Sequence, residues 1–251
     1  MIHPVLENLK KLRLKGIIEA LEIQLKNPDS KHLLFEERLA LLIDHEMTLR
    51  ENKRLQSRIK NAKFRHQACI HDIIYEPSRK LDRTLIMSLE SCDWITKHQN
   101  ILITGATGTG KSYLAEAFAH NACLRGFSVL RVQVPRIFQE LKVAKADGSY
   151  LKMQANMAKA DLLLIDDLSA SEFTNEIRRD LLGILDDRYG CKSIIVTSQL
   201  DVKSWHESIG DATIADAILD RLIHNAYRFA LEGSSMRRML AKTSVKKGEI
   251  L

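Results

Sequence analysis

Hydrophobic residues recur along this chain with two different periods, and the change between them divides it. From 3 to 26, Leu6, Leu9, Leu14, Ile17, Ile18, Leu21 and Leu25 return at three- and four-residue steps, which predicts one amphipathic helix. Asn27-Pro28-Asp29-Ser30 ends it and caps a second helical stretch, 31 to about 65, through Leu34, Phe35, Leu39, Leu42, Ile43, Met47, Leu55 and Ile59. Residues 66–82 read as a polar connector marked by Pro77 and Ser78. Beyond Leu81 a helix leads into short apolar runs that alternate with helical periods. Strands are predicted at 101–104, 128–134, 162–165, 193–197 and 227–231. Helices are predicted at 113–125, from Pro135 to a break at Asp147-Gly148-Ser149, on to Ala160, at 176–189 and 212–225, with a short basic helix from Ser235. Strands that alternate with helices imply an α/β fold, a mostly parallel sheet with helices on both faces in three layers, preceded by an all-α N-terminal region.

The chemistry sits where the first of those strands meets its helix. Gly105-Ala106-Thr107-Gly108-Thr109-Gly110-Lys111-Ser112 is a complete GxxxxGK[ST] phosphate-binding loop, and Tyr113 continues it into the helix. Its glycines let backbone N–H groups turn inward on the phosphates of a nucleoside triphosphate, and the helix adds its N-terminal dipole. Lys111 supplies a point charge to the phosphates and Ser112 Oγ a ligand to Mg²⁺. Farther on, Leu162 to Ile165 runs into Asp166-Asp167, the pattern of a Walker B strand. Asp166 is then the acid that holds Mg²⁺ beside Ser112, and Asp167 the group that orients and polarises the attacking water. Thr197-Ser198-Gln199 ends the next strand, and Gln199 is the side chain expected to reach the γ-phosphate or the water.

Charge adds a second feature. The formal net charge of the 251 residues is +6. Residues 50 to 66 hold seven bases (Arg50, Lys53, Arg54, Arg58, Lys60, Lys63, Arg65) against Glu51, so this segment carries the whole excess and the remaining 31 bases and 31 acids balance. At 100° per residue Leu55, Ile59 and Ala62 form a narrow apolar stripe, and the seven bases fan over the opposite face. With almost no acids to pair them, these like charges repel unless a polyanion neutralises them, which points to a nucleic-acid backbone. A solvated helix face is the plainer alternative. The stripe lacks Trp and is thin in large apolar residues, which argues against insertion into a membrane surface. The longest apolar runs fall far short of the ~18 residues of a membrane span, no targeting segment is visible, and the expected location is cytoplasmic. Cys69, Cys92, Cys123 and Cys191 show no CxxC spacing, in keeping with a reducing compartment. His66, Cys69 and His71 lie close together but read as incidental, and no metal site is assigned to them.

From Tyr75 to Arg238 the chain resembles the IstB-like insertion-sequence ATP-binding proteins, transposition helpers related to the DnaC helicase loaders within the AAA+ ATPases. Besides the phosphate loop, the stretches that carry the resemblance are 161–167, Asp186-Asp187-Arg188-Tyr189, Thr197-Ser198-Gln199-Leu200, Trp205-His206, Ile209-Gly210-Asp211, 215–226 and Gly233-Ser234-Ser235-Met236-Arg237. The resemblance implies an AAA+ P-loop ATPase that needs ATP and Mg²⁺. It implies a homo-oligomer on duplex DNA without strong sequence preference, which remodels the duplex and directs a cognate transposase. It also implies Arg221 as an arginine finger reaching a neighbour's γ-phosphate, and Arg237 as a second sensor. Two departures are Asp167, where many AAA+ proteins carry the longer Glu, and Leu168-Ser169 in place of Trp-Gly. The organisation expected is a helical DNA-binding and assembly domain at 1–66, a connector at 67–82 and the ATPase domain at 83–251. Rival readings are a DnaC-like helicase loader and a nucleotide-gated DNA scaffold with little hydrolysis.

Overall fold

The structure, a computed structural model, describes residues 2–134, 136–170 and 172–239, and among them the alternation of apolar runs and helical periods takes shape as five strands and eleven α-helices. In chain order the elements are α1 (Ile2–Lys11), α2 (Lys15–Lys26), α3 (Phe35–Ala62), α4 (Arg83–Ser88), α5 (Asp93–Thr96), β1 (Asn100–Gly105), α6 (Lys111–Leu124), β2 (Val129–Gln133), α7 (Arg136–Asp147), α8 (Tyr150–Lys159), β3 (Leu162–Asp166), α9 (Asn175–Asp186), β4 (Ser193–Ser198), α10 (Trp205–Ile209), α11 (Ala212–Ile223) and β5 (Ala226–Leu231). The chain divides into two compact units, Met1–Ser57 and Arg58–Leu251.

In the first unit the single helix expected over 3–26 is two. Arg13 takes a left-handed conformation (φ 57°), and the N–H groups of Arg13 and Leu14 bond back to the carbonyls of Lys10 and Leu9, which closes α1. The break frees the start of α2, whose Gly16 and Ile17 N–H groups donate to Glu46 Oε2 of α3 at 2.6 and 3.2 Å. A Cβ on Gly16 would lie 2.6 Å from Glu46 Cα, so glycine is what lets α2 and α3 approach. The second helical stretch also begins later than expected: Pro28–His32 forms a 3₁₀ turn capped by Asn27, and α3 starts at Phe35.

In the second unit the sheet is wholly parallel in the order β2-β3-β4-β1-β5. Strand residues alternate between faces. Leu102, Leu163, Ile165, Ile194 and Val196 join a core with α7 to α11, through Leu141, Met157, Leu181, Leu185, Trp205, Ile218 and Leu222. On the opposite face α6 packs across β1, β3 and β4 and buries Leu114, Ala115, Phe118, Ala119 and Ala122. The three layers expected from the sequence are present. The predicted connector contains two 3₁₀ turns and buries Ala68, Ile70, Ile73 and Arg79. Residues 236–239 are helical, while Pro135 and the rest of the basic stretch expected after Ser235 lie outside the described residues.

Candidate nucleotide site

Parallel strands place their C-terminal ends on one edge of the sheet, where ligands of such folds bind, and that edge gathers Gly105, Asp166 and Ser198. Gly108 and Gly110 take φ of 88° and 95°, which bends the phosphate loop out of β1 and into the N-terminus of α6. The loop is held from both sides. Arg79, buried in the connector, donates Nη2 to the Thr109 carbonyl at 3.0 Å and Nη1 to the Ile74 carbonyl at 2.5 Å. From the C-terminal side, Met236 N donates to the Gly108 carbonyl at 2.9 Å. Between them opens a cavity of about 440 Å³ that reaches Thr107, Gly108, Gly110, Lys111, Ser112, Tyr113, Asp167, Gln199 and Arg237. His66, Asp72, Ile74, Arg79 and Met236 complete its wall.

The expected site residues therefore converge. Lys111 Nζ lies 3.0 Å from the Ala106 carbonyl, and burial lowers its pKa against the raising pull of Asp167 and Asp166. Ser112 Oγ donates to Asp166 Oδ1 at 2.8 Å, and Thr197 Oγ1 donates to the same oxygen at 2.7 Å. Thr109 Oγ1 bonds the Ala106 carbonyl and steadies the loop. Asp167, with φ 59°, donates its N–H to Thr197 Oγ1 at 2.9 Å and turns its side chain into the cavity. Burial raises its carboxyl above the ordinary value, the neighbouring Asp166 charge adds to this, and Lys111, Arg131 and Arg237 oppose it. Gln199 Oε1 accepts from Thr107 Oγ1 at 2.8 Å, so the end of β4 touches the phosphate loop. Ser169, one of the departures from the family pattern, bonds Ser198 Oγ and Gln199 N and shapes this corner.

Sequence reading missed Arg79, Arg131 and Glu116. Arg131 of β2 places Nη2 2.5 Å from Asp166 Oδ2 and Nε 2.8 Å from Glu116 Oε1. Each is an ordinary residue in its own stretch, and only folding brings Arg79 to the Thr109 carbonyl and Arg131, with Glu116 behind it, to Asp166. Of the flagged trio, His66 pairs with Glu116, His71 lies 3.5 Å from Glu90, and Cys69 lines a separate hollow. Among the described residues no group of three or more His, Cys, Asp or Glu side chains forms a metal cage. A divalent cation at Ser112 and Asp166 would have two hard oxygen donors and would complete its shell from phosphate and water, the usual habit of Mg²⁺.

The basic face is less uniform than its spacing suggests. Lys53, Arg54, Lys60, Lys63 and Arg65 are exposed and form no ion pair among the described residues. Arg50, exposed as well, pairs with Glu46 at 2.6 Å. Arg58 does not share the open face with them: it is half-buried and donates Nε to the Cys123 carbonyl at the end of α6, 3.1 Å away. Within its own chain Arg221 is held by an ion pair. Its partner is Asp186 of α9, not the adjacent Asp220, and its guanidinium lies 5.9 Å from the Tyr189 ring. Among the described residues no helix is long and apolar enough to cross a membrane.

Comparison with known proteins agrees with this geometry. The chain is 45% identical over 238 residues to y4pL of Sinorhizobium fredii, named as an insertion sequence ATP-binding protein, with 95% of this chain and 97% of that one covered. It is 42% identical to the ATP-binding protein of insertion sequence IS1162 of Pseudomonas fluorescens, covering 80% of this chain and 87% of that one. Among solved structures, DnaI matches with a TM-score of 0.57 at 23% identity over 66% of this chain and 91% of its own. The DnaC helicase loader matches at 0.56 and 17%, over 68% and 100%, and AMPPCP-bound DnaA of Aquifex aeolicus at 0.59 and 18%, over 74% and 56%. At these identities the structures establish a shared fold. The IstB-like ATP binding protein family matches residues 7–244, and the chain belongs to it: an ATP-binding P-loop ATPase with an AAA+ fold.

Proposed function

We propose that this ATPase is a transposition helper that binds duplex DNA through the exposed cations of residues 53–65, remodels it as an oligomer, and directs a partner transposase. The observation that carries the DNA reading is the set Lys53, Arg54, Lys60, Lys63 and Arg65, exposed and without acidic partners among the described residues. On this reading the N-terminal 1–66 region serves binding and assembly. The relatives named for insertion sequences favour a transposase over a replicative helicase as the partner.

Hydrolysis follows from the groups in the cavity. Lys111 and the loop amides hold the polyphosphate, while Asp167 accepts the proton of the water that attacks the γ-phosphorus. Gln199 and Thr107, bonded to each other, orient that water, and Arg237 faces the same space. Ser112 and Asp166 would hold Mg²⁺, which would supply positive charge to offset that of the phosphates. Arg221 does not line its own cavity. Its carbonyl accepts from Asn100 Nδ2 at the start of β1, whereas the phosphate loop leaves from the other end of that strand, about 17 Å away at ~3.3 Å per residue. An arginine side chain does not bridge that span, so on this reading Arg221 serves as an arginine finger for the site of a second copy and not for its own.

The test is salt-dependent binding to unrelated duplexes. Replacing Arg54, Lys60 and Lys63 with Ala should weaken binding about equally for every sequence and flatten log K against log salt by roughly 0.9 for each phosphate that is no longer neutralised. Unchanged affinity and slope would return these side chains to a solvated face.

A further inference from the structure

Arg131 is a buried cation between two buried anions, and both anions lead to the nucleotide cavity. Its side chain is 9% exposed, against 3% for Asp166 and 1% for Glu116. On one side it holds Asp166 Oδ2, which leaves Oδ1 directed at Ser112. On the other it meets Glu116, one helical turn beyond Ser112 on α6. Glu116 in turn accepts the backbone N–H groups of Arg65 (3.1 Å) and His66 (2.6 Å), and its Oε2 lies 3.1 Å from His66 Nδ1. The His66 ring belongs to the wall of the same cavity. These pairings run from Ser112, which lines the cavity, through Asp166, Arg131 and Glu116 to His66, which lines it too. Arg65 directly precedes His66 in the chain, and Lys63 stands three positions before it.

We propose that Arg131 and Glu116 are positioning residues that tie the Asp166 carboxylate and the His66 ring to the backbone of residues 60–66, so that nucleotide binding sets the placement of the cations there and a bound polyanion in turn favours nucleotide. The physical reason is that a buried ion cannot be left without its partner cheaply. When ligation at Ser112 and Asp166 shifts the carboxylate, Arg131 follows it, Glu116 follows Arg131, and the amides of Arg65 and His66 follow Glu116. Exposed side chains would absorb such a shift, whereas a buried chain of charges passes it on. Linkage makes the effect reciprocal: whatever factor nucleotide adds to polyanion affinity, polyanion adds to nucleotide affinity.

The inference rests on the DNA reading above only in naming the polyanion, and the experiment separates the two. Affinity of the full chain for a short duplex is measured with and without a non-hydrolysable ATP analogue and Mg²⁺, in the wild type and in Glu116→Gln. Hydrogen exchange at the amides of residues 65 and 66 is followed in the wild type on adding the analogue alone. The expected result is an increase of about tenfold in duplex affinity with the analogue, falling to about twofold or less in Glu116→Gln while the analogue still binds. Changed exchange at amides 65 and 66 should accompany it. Full coupling in Glu116→Gln, or exchange at both amides indifferent to the analogue, would overturn the relay; the exchange measurement decides the matter even where the variant does not fold. A wild type that binds no duplex under either condition would sink the DNA reading, and amide exchange would still judge the relay.

Discussion

Asp167 serves two demands that conflict. As the group facing the attacking water it must present a carboxylate to the cavity, yet it sits beside Asp166 in a left-handed backbone position and is partly withdrawn from water. Burial first, then the Asp166 charge, lifts its pKa in the fold. The folded chain therefore binds a proton more readily than the unfolded one, and stability falls as pH rises from the ordinary carboxylate value through the raised one. Asp167→Asn removes the charge while keeping a side chain that tolerates the same backbone conformation. Without nucleotide this variant should melt above the wild type at neutral pH, with the difference shrinking as the pH drops through the raised value. The same variant should keep ATP bound and fall about 10²- to 10⁴-fold in hydrolysis. Lys111→Ala should do the reverse, giving up tight ATP binding without unfolding the chain. Parallel melting curves and ATPase rates across pH check both, and normal hydrolysis by Asp167→Asn would place water activation on another residue. Lys111, Ser112, Asp166 and Asp167 were legible from sequence because they lie in linear motifs. Arg79, Arg131 and Glu116 were not, because each acts on a group at least ten positions away and no local pattern announces it.

Among the elements, the strands were the easiest to read: a parallel sheet covered on both faces needs continuous apolar runs, and β3 is one. Short helices such as α5 and α10, of four and five residues, leave too little periodicity to be seen. The break between α1 and α2 was hidden for a different reason. It is made at Arg13, a residue with no preference for the left-handed conformation it adopts, and it is held in place from α3, where Glu46 accepts from the N–H groups at the start of α2. Burial alone would raise the Glu46 pKa, but bonds from Arg50 and from the N–H groups of Ile17 and Gly16 outweigh it and hold the carboxyl below its ordinary value. The stability it lends is complete at neutral pH and disappears as pH falls through that lowered value. Gly16→Ala tests the approach of the two helices. The added methyl has no room beside Glu46 Cα, so α2 and α3 must separate, at a cost of about 1–3 kcal/mol. Faster hydrogen exchange at amides 16 and 17 in the full chain is the expected sign, and unaltered exchange would mean that the helix pair relaxes freely. Arg188 shows the opposite trap. It stands in one of the stretches that carry the family resemblance, yet it is fully buried and donates to the carbonyls of Met157, Ala160 and Ser193, closing the end of α8 against β4.

For the whole molecule the decisive question is whether one chain contains a complete ATPase site, and Arg221 poses it. Within its own chain the guanidinium is paired with Asp186, stacked near Tyr189 and bonded to the Ala217 carbonyl, at the end of β1 opposite the phosphate loop. If that pairing were its entire role, the partly exposed ion pair would be worth at most about 1 kcal/mol, and removing it would leave hydrolysis alone. An arginine that stabilises the transferring phosphoryl group is worth roughly 10³ to 10⁵ in rate. The two magnitudes differ so far that a single variant separates them. Arg221→Ala should bind ATP normally and keep its fold, yet hydrolyse ATP at least about a thousandfold more slowly. Mixed with Lys111→Ala, which lacks a working phosphate loop but has an intact arginine, it should recover part of the missing activity, because an interface between the two can join an intact loop to an intact Arg221. The recovery should rise with total protein concentration, as a reaction requiring two copies to meet must. Normal hydrolysis by an Arg221→Ala protein that still assembles would show that each chain completes its own site, and the Asp186 pairing would then be the whole of what Arg221 does.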